Sequence, residues 1–238
     1  MRMFKDVCTC LCLCVCIGLC GCGNDEGLTK EEAMSRVAEA VDLGLSVKWA
    51  SHNVGATAPE EYGGLYGWGD PTGKKIFCDE DYASSRREMS KDMRFDHICG
   101  DELYDIARVK WGGQWRLLSS DELKELKDKC TWTWTTRKGV AGYNVEGPSG
   151  KSIFLPAAGE RINESIVGQG VKSSASGCNF NCDGDDGDYW GWIRSGSLDY
   201  VSPINLGFSN KADGVGEYVF LYIYRGAFVG CSVRPVSY

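Results

Sequence analysis

The sequence predicts an α+β domain, in which two to three helices pack on twisted antiparallel sheets joined by long loops rich in glycine and aspartate. Two capping boxes, each followed by apolar residues at helical spacing, predict helices in the first half of the chain. From residue 131 onward, alternating and β-branched segments predict strands. Helices that precede a run of strands, instead of alternating with them, are typical of α+β domains.

Three helices are predicted before residue 131. A capping box at residues 29–32 is followed by apolar residues at helical spacing, which predicts a helix from about residue 30 to 40. Asp101 is the predicted N-cap of a second helix, and Gly112 and Gly113 end it. A second capping box, at residues 119–122, predicts the third helix, with its apolar face at Leu123, Leu126 and Cys130.

Short strands account for most of the remaining sequence. Residues 131–135 alternate strictly between threonine and tryptophan, which predicts a strand with two different faces. A Gly-Pro-Ser-Gly turn at residues 147–150 predicts a hairpin between strands at 142–146 and 151–155. Other strands are expected at residues 47–50, 65–68, 189–193, 205–208, 217–224 and 231–236.

Composition and charge exclude two classes of protein. The chain has 238 residues with Lys+Arg 26 against Asp+Glu 33, a formal net charge of -7, and it has no basic patch to contact phosphates. We therefore expect no nucleic-acid partner. After the N-terminal region, no segment approaches the roughly 20 apolar residues of a membrane-spanning helix, so a polytopic membrane protein is excluded.

The N-terminal region has the pattern of a signal peptide. Arg2 and Lys5 precede an apolar run at residues 7–20, which is too short for a convincing membrane span. Residues 19–22 read Leu-Cys-Gly-Cys. This ending resembles the bacterial lipoprotein signal, in which a small residue precedes the lipidated cysteine, and Cys22 fits that role.

The lipoprotein resemblance implies a diacylglyceryl anchor on Cys22. Cys20 fits less well, because a bulky leucine stands directly before it. The chain then divides into a signal peptide at 1–21, an acidic tether at 22–29 and a single domain at 30–238. Acids just after the cysteine are similar to the surface-export signal of Bacteroidetes lipoproteins, which implies an outer-membrane protein exposed at the cell surface. Ordinary secretion and an uncleaved anchor are the alternatives.

Six cysteines remain after Cys22, and their pairing is open. In a domain outside the cytoplasm they can form disulfides. Cys78 and Cys99 flank one charged segment, while Cys178 and Cys182 are close in sequence, so these are the candidate pairs. Buried thiols are the alternative.

The acidic run at residues 179–188 is the best candidate for a metal site. Its alternating oxygen-bearing side chains on a glycine-rich turn are the type of ligand that calcium prefers. The candidate ligands are Asn179, Asn181, Asp183, Asp185, Asp186 and Asp188. The match to an EF-hand loop fails, because asparagine occupies its first position and Trp190 its twelfth. A solvated acidic loop is therefore the alternative, and no other cofactor is predicted.

Aromatic residues next to the acidic run are the candidate ligand-binding site. Tyr189, Trp190 and Trp192 follow it directly, and flat aromatic rings beside carboxylates suit the binding of sugars. Buried tryptophans are more common than exposed ones, so a core role is the alternative. The pairs Trp132 and Trp134, and Trp111 and Trp115, are predicted to lie in the core.

Several blocks, in order over roughly residues 41–236, resemble the Fibrobacter succinogenes major paralogous domain, a family common in surface lipoproteins of gut Bacteroidetes. They are VDLGLS at 41–46, WA at 49–50 with NVGA at 53–56, PEEYG at 59–63, WGGQWR at 111–116, CTWTWT at 130–135, IFLPAAG at 153–159 and SVRPV at 232–236. The family resembles C-type-lectin-like folds, including the formylglycine-generating enzyme superfamily. The resemblance therefore implies a lectin-like fold.

No catalytic motif accompanies this resemblance. The chain has only two histidines and contains no nucleophile elbow, P-loop, dinucleotide fingerprint or zinc-protease motif. Cys231 lies where formylglycine-generating relatives carry reactive cysteines, but no partner motif surrounds it. We expect a non-catalytic domain that binds a glycan or a surface protein. A structural component of the cell envelope is the alternative, and an enzyme of unknown reaction is the second.

Overall fold

Two helices and four small antiparallel sheets make up the part of the chain that the computed structural model describes, which is residues 37–70, 98–162, 164–169, 189–199, 202–210, 217–222 and 229–238. In the strands between residues 189 and 222, side chains are described only at Leu206 and Val219. The predicted α+β class is confirmed at this level, because helix and antiparallel sheet occupy separate stretches of sequence.

The helices are α1 (Ile106–Trp111) and α2 (Ser120–Lys129). The strands are β1 (Ala40–Val41), β2 (Lys48–Ala50), β3 (Thr131–Arg137), β4 (Val140–Glu146), β5 (Ser152–Pro156), β6 (Glu160–Ile162), β7 (Ser165–Val167), β8 (Tyr189–Asp199), β9 (Ser202–Asn210), β10 (Glu217–Tyr222) and β11 (Val236–Ser237). The strand orders of the sheets are β1-β2-β11, β3-β4-β5, β6-β7 and β10-β9-β8.

Helix α2 forms as its capping box predicts. The Ser119 hydroxyl accepts the amide of Glu122 at 3.2 Å, and the Glu122 carboxylate accepts the amide of Ser119 at 2.7 Å. These bonds satisfy two amides that the first helical turn leaves without a partner inside the helix. Leu123 and Leu126 are fully buried, so α2 presents its apolar face to the core.

Helix α1 begins later than predicted, because Asp105 caps it instead of Asp101. The Asp105 carboxylate accepts the amides of Ala107 and Arg108. Asp101 caps the preceding turn, where its carboxylate accepts the amides of Leu103 and Tyr104 at 2.8 and 3.0 Å. The Asp101 prediction was therefore wrong, since two aspartates four residues apart each satisfy a separate turn.

The helix predicted over residues 30–40 is wrong for its last four residues, which the structure describes. Residues 37–39 are not helical, and Ala40–Val41 forms β1, in which Ala40 pairs with Ala50 and Val41 with Trp49. In this arrangement the backbone of Ala40 and Val41 pairs with β2. A helix that ended at residue 40 would prevent this pairing. Residues 30–36, which include most of the predicted helix, lie outside the described ranges.

The sheet β3-β4-β5 confirms the strands predicted from residue 131 to 155. β3 and β4 pair without interruption from Thr131 opposite Glu146 to Arg137 opposite Val140. Lys138 and Gly139 connect them with φ values of 48° and 85°, the two positive angles of a type I′ hairpin turn. The predicted turn at residues 147–150 connects β4 to β5.

Helix α2 contacts β8, β9 and β10, and β4 contacts β8. A first core cluster fills this space and contains Leu43, Val47, Trp49, Leu118, Leu123, Leu126, Tyr143, Val145, Ile153, Leu155, Leu206 and Val236. A second cluster lies around α1 and contains Val54, Trp68, Ile98, Ile106, Ala107, Leu117 and Val233.

The last ten residues join separate parts of the fold. Cys231 bridges Tyr66, Gly230 bridges Arg161, and β11 pairs with β2. The strands predicted at 65–68 and 231–236 are therefore reduced to isolated bridges and the short β11.

Candidate functional site

The predicted aromatic ligand site lies at the start of β8. Among the strands that the structure describes, β8 lies at one edge of the sheet β10-β9-β8, and it pairs with β9 from Tyr189 opposite Asn210 to Trp192 opposite Gly207. Trp190 and Trp192 occupy alternate positions of this strand. The pairing becomes irregular further along, between Arg194 and Leu198. The backbone thus confirms a strand at the predicted aromatic segment.

Most of the other predicted site residues lie outside the described ranges. These are the lipidation residue Cys22, the cysteines Cys78, Cys178 and Cys182, and the candidate calcium ligands Asn179, Asn181, Asp183, Asp185, Asp186 and Asp188. The anchor, the calcium site and both candidate disulfides therefore stay predictions. No group of three or more histidine, cysteine, aspartate or glutamate side chains suited to a metal occurs within the ranges that the structure describes.

Three cysteines of the domain fall within the described ranges. Cys99 is half-buried, with its thiol sulfur 3.5 Å from the carbonyl oxygen of Leu118. Burial raises the pKa of the Cys130 thiol to about 11, so this side chain stays protonated and is a poor nucleophile at neutral pH. Cys231 is completely buried. Burial of Cys130 and Cys231 disfavours reactive-thiol chemistry at both positions.

Trp111 and Trp115 were predicted to be core residues, and the structure places both half-buried at the surface. Their ring centroids are 5.4 Å apart at an interplanar angle of 76°, and the buried His52 ring lies 5.6 Å from Trp111. Trp111 packs against the second core cluster. The core prediction thus holds for one side of Trp111 only, and Trp115 lies against Trp111.

Trp132 and Trp134 are also half-buried. Both lie edge-on against the fully buried Tyr143, at centroid distances of 5.5 and 5.0 Å. They pack against the first core cluster. Their predicted position on one face of β3 is therefore correct, with part of each ring left at the surface.

Two buried charged residues, Glu160 and Arg161, lie in β6, where Arg161 bridges Gly230 of the C-terminal segment, and neither was predicted from the sequence. Glu160 is completely buried and Arg161 is 5 % exposed. Arg161 exchanges two backbone hydrogen bonds of 2.9 Å with Gly230, and its guanidinium donates to the Leu65 carbonyl oxygen at 3.3 Å. Burial lowers the pKa of Arg161, and the nearby Asp70 opposes this change.

Arg234 is the most completely enclosed cation in the described ranges. It is 0 % exposed, and it donates to Asn53 Oδ1 at 2.8 Å, the Ala50 carbonyl at 3.0 Å and the Phe154 carbonyl at 2.8 Å. Burial lowers the pKa of Arg234 to about 9, so the side chain remains a cation at neutral pH. Arg234 ties the C-terminal segment to the residues after β2 and to β5.

Arg116 makes a second charged contact with the C-terminal segment. Its guanidinium makes two bonds to the Glu122 carboxylate, at 2.9 and 2.6 Å, and lies 4.8 Å from the Tyr238 ring centroid. The hydrogen bond that Arg116 donates to Glu122 raises the pKa of Arg116. Because the Glu122 side chain also completes the cap of α2, one carboxylate positions both the helix and the C-terminal segment.

An open depression of about 400 Å³ lies beside α2. It is lined by Ser46, Asp121, Glu122, Lys124, Glu125, Asp128 and Lys129. Its charges are paired internally: Lys129 bonds Glu125 at 2.8 Å, Lys124 bonds Asp128 at 3.0 Å, and Glu125 accepts the Ser46 amide at 3.0 Å. Such paired side chains on an exposed helix face indicate a solvated surface.

The chain was compared with protein family models, with curated proteins and with solved structures, and none of these comparisons finds a match. No helix within the described ranges is long and apolar enough to cross a membrane.

Proposed function

We propose that this protein is a lipid-anchored cell-surface protein whose lectin-like domain binds a glycan or another surface protein without catalysis. The anchor is proposed from the Leu-Cys-Gly-Cys ending at residues 19–22. The lectin-like fold is proposed from the sequence blocks that resemble the Fibrobacter succinogenes major paralogous domain. The α+β architecture with small antiparallel sheets is compatible with it.

One observation supports ligand binding above the others. The segment containing Tyr189, Trp190 and Trp192 begins a strand that is outermost among the described strands of its sheet, directly after the acidic run. An outer strand leaves one backbone edge outside its own sheet, and the adjoining acids supply acceptors for hydroxyl groups. A polyhydroxylated ligand that stacks on an aromatic ring fits this combination.

Ligand binding is tested with a glycan array probed with the full chain. We expect bound glycans whose signal is lost when Trp190 and Trp192 are replaced by alanine. Trp115→Ala is the matched control, because it removes a half-buried tryptophan from a different surface. Equal loss in the control would contradict the proposed site. An array without any bound glycan would favour a protein ligand or the structural alternative, which a pull-down from envelope fractions would separate.

The anchor is tested by metabolic labelling with an alkyne fatty acid. We expect Cys22→Ala to abolish labelling and Cys20→Ala to preserve it, because only Cys22 follows a small residue. Labelling that survives Cys22→Ala but disappears in Cys20→Ala would move the anchor to the other cysteine. A wild-type chain without label would refute lipidation.

A further inference from the structure

The sheet β10-β9-β8 pairs in a register that arranges its residues in rows of three. β9 lies between β8 and β10, and it pairs with both of them over Asn205 to Asn210 without a shift. Residues that lie directly opposite each other on neighbouring strands share a face, and successive residues of one strand alternate between the two faces. The backbone register therefore assigns each row to one face of the sheet.

Two residues with described side chains identify the face that covers the core. Leu206 is fully buried in the first core cluster, and Val219 packs against the same cluster. Val219 lies opposite Phe208, which is two positions from Leu206 on β9, so both residues belong to the same face. The rows of this core face are Ile193, Leu206 and Leu221, and Gly191, Phe208 and Val219. The alternate rows then belong to the opposite face.

The opposite face is rich in aromatic residues. Its three rows are Arg194, Asn205 and Tyr222; Trp192, Gly207 and Phe220; and Trp190, Ser209 and Tyr218. Five of these nine residues are aromatic, and all five lie on β8 and β10, while β9 contributes asparagine, glycine and serine. Antiparallel sheets with one face on the core commonly carry polar residues on the other. An aromatic second face indicates a binding surface.

The dimensions and chemistry of this aromatic face indicate the class of ligand. Neighbouring strands are about 4.8 Å apart and rise about 3.4 Å per residue, so β8 and β10 are about 10 Å apart and the three rows extend about 14 Å. Aromatic residues suit stacking on sugar rings, and asparagine and serine suit hydrogen bonds to hydroxyl groups. Arg194 is the only charged residue among the nine, and arginine binds a carboxylate with two parallel hydrogen bonds.

We propose that this aromatic face binds a short oligosaccharide that carries a carboxylate group. The inference rests on the proposed ligand-binding function, and it extends the site from β8 to all three strands. Trp190 and Trp192 stay in the site. Tyr189 leaves it, because Tyr189 lies opposite Asn210 and therefore on the core face.

Hydroxyl-radical footprinting of the full chain, read by mass spectrometry, tests which face is accessible. We expect Phe220 to be oxidised quickly and its neighbour Leu221 slowly, once each rate is corrected for the intrinsic reactivity of the residue type, because the two lie on opposite faces. Trp192 and Ile193 form the equivalent pair on β8. Oxidation of Phe220 and Trp192 that is as slow as that of their neighbours would overturn the proposal.

A glycan array that presents acidic oligosaccharides beside their methyl esters tests the ligand. We expect the wild type to bind the acidic form with a dissociation constant about tenfold lower than that of the ester, and Arg194→Gln to remove this difference. A wild type that binds no glycan, or binds the esters equally well, would overturn the acidic-oligosaccharide assignment. With fast oxidation of Phe220, that result would leave the proposed binding of a protein intact.

Two tyrosine variants separate this aromatic face from a site on β8 alone. We expect Tyr218→Ala to weaken binding about fivefold and Tyr189→Ala, the matched control on the core face, to leave it unchanged. Circular dichroism checks that both are folded, and Tyr222→Ala repeats the test if Tyr218→Ala is not. Binding that needs Trp190 and Trp192 but survives Tyr218→Ala would overturn the extension to three strands and leave the proposed function standing. Loss of binding in Tyr189→Ala alone would overturn the assignment of faces.

Discussion

Arg116 and Arg234 both hold the C-terminal segment, and they satisfy their guanidinium groups in different ways. Arg116 is paired with the carboxylate of Glu122 and lies against the exposed ring of Tyr238. Arg234 is completely enclosed, and its guanidinium donates to neutral acceptors, two backbone carbonyls and the amide oxygen of Asn53. The two environments move the pKa of these side chains in opposite directions.

This difference shows that arginine can stabilise the fold by two mechanisms. At Arg116 an opposite charge compensates the guanidinium, and the pair keeps only slight contact with water, with side-chain exposures of 9 % for Arg116 and 13 % for Glu122. At Arg234 water is excluded, so each acceptor depends on the arginine for its hydrogen bond. The contribution of Arg234 should therefore be larger, although it has no carboxylate partner among the described residues.

Replacing Arg234 by methionine should have the largest effect. The change leaves the carbonyls of Ala50 and Phe154 and the Asn53 side chain without their donor, which should lower the free energy of unfolding by about 3–5 kcal/mol. Urea unfolding followed by tryptophan fluorescence measures it. Arg234→Lys is the control, because a compact ammonium keeps the charge without reaching all three acceptors. Its free energy of unfolding should lie between those of the wild type and Arg234→Met. Wild-type stability in Arg234→Met would contradict the enclosed-cation mechanism.

Replacing Glu122 by glutamine should have a smaller effect. Glutamine keeps an oxygen for the capping box and removes the charge that faces Arg116, so the expected loss is about 1–2 kcal/mol. The same urea experiment measures this loss. Asp121→Asn, an exposed acid in the same helical turn, should change stability less. If both variants lose equally, the effect belongs to the helix dipole and not to Arg116.

The contribution of Glu122 should also depend on pH. Burial opposes the charge of Glu122, but the bonds from Arg116 and Ser119 outweigh it and lower the pKa of this carboxyl below its usual value of 4.5. A lowered pKa means that the folded state favours the charged form, so the stabilisation is present above pH 4.5 and is lost as the pH falls through the lowered value. The difference in melting temperature between wild type and Glu122→Gln should therefore shrink below about pH 4.5. A difference that stays constant to pH 3 would show that the charge is not responsible.

Replacing Tyr238 by alanine should have the smallest effect. Tyr238 is 72 % exposed, and a cation–π contact at an exposed site contributes about 0.5–1 kcal/mol. Thermal unfolding should show a small decrease for Tyr238→Ala and none for Tyr238→Phe, which keeps the aromatic face over Arg116. A larger loss in Tyr238→Phe would assign the effect to the hydroxyl group.

The sequence predicted the elements whose signals are local. Helix α2 follows from Ser119 and Glu122, because a capping box is written within four residues. The hairpin of β4 and β5 follows from its turn sequence. Strands β1, β6 and β7 were missed, since strands of two or three residues carry no readable periodicity.

The candidate site was predictable only in part. A strand was predicted at residues 189–193; the structure extends it to Asp199, and its pairing with β9 places it at an edge of the described sheet. The surface position of Trp111 could not be read from the sequence, because a tryptophan beside two glycines fits either environment. Arg161 and Arg234 escaped notice as structural residues, since burial of an arginine depends on carbonyl groups brought together by tertiary structure.

The bridges of the last ten residues have a consequence for how this chain folds. Cys231 pairs with Tyr66, and β11 pairs with β2, so both contacts close loops that span most of the domain. Loop closure of this length opposes early pairing, and domains rich in such distant contacts fold slowly. We expect the first core cluster to stay incomplete until Val236 reaches Trp49, so that folding is a late, all-or-none event and the chain remains unfolded for much of its synthesis.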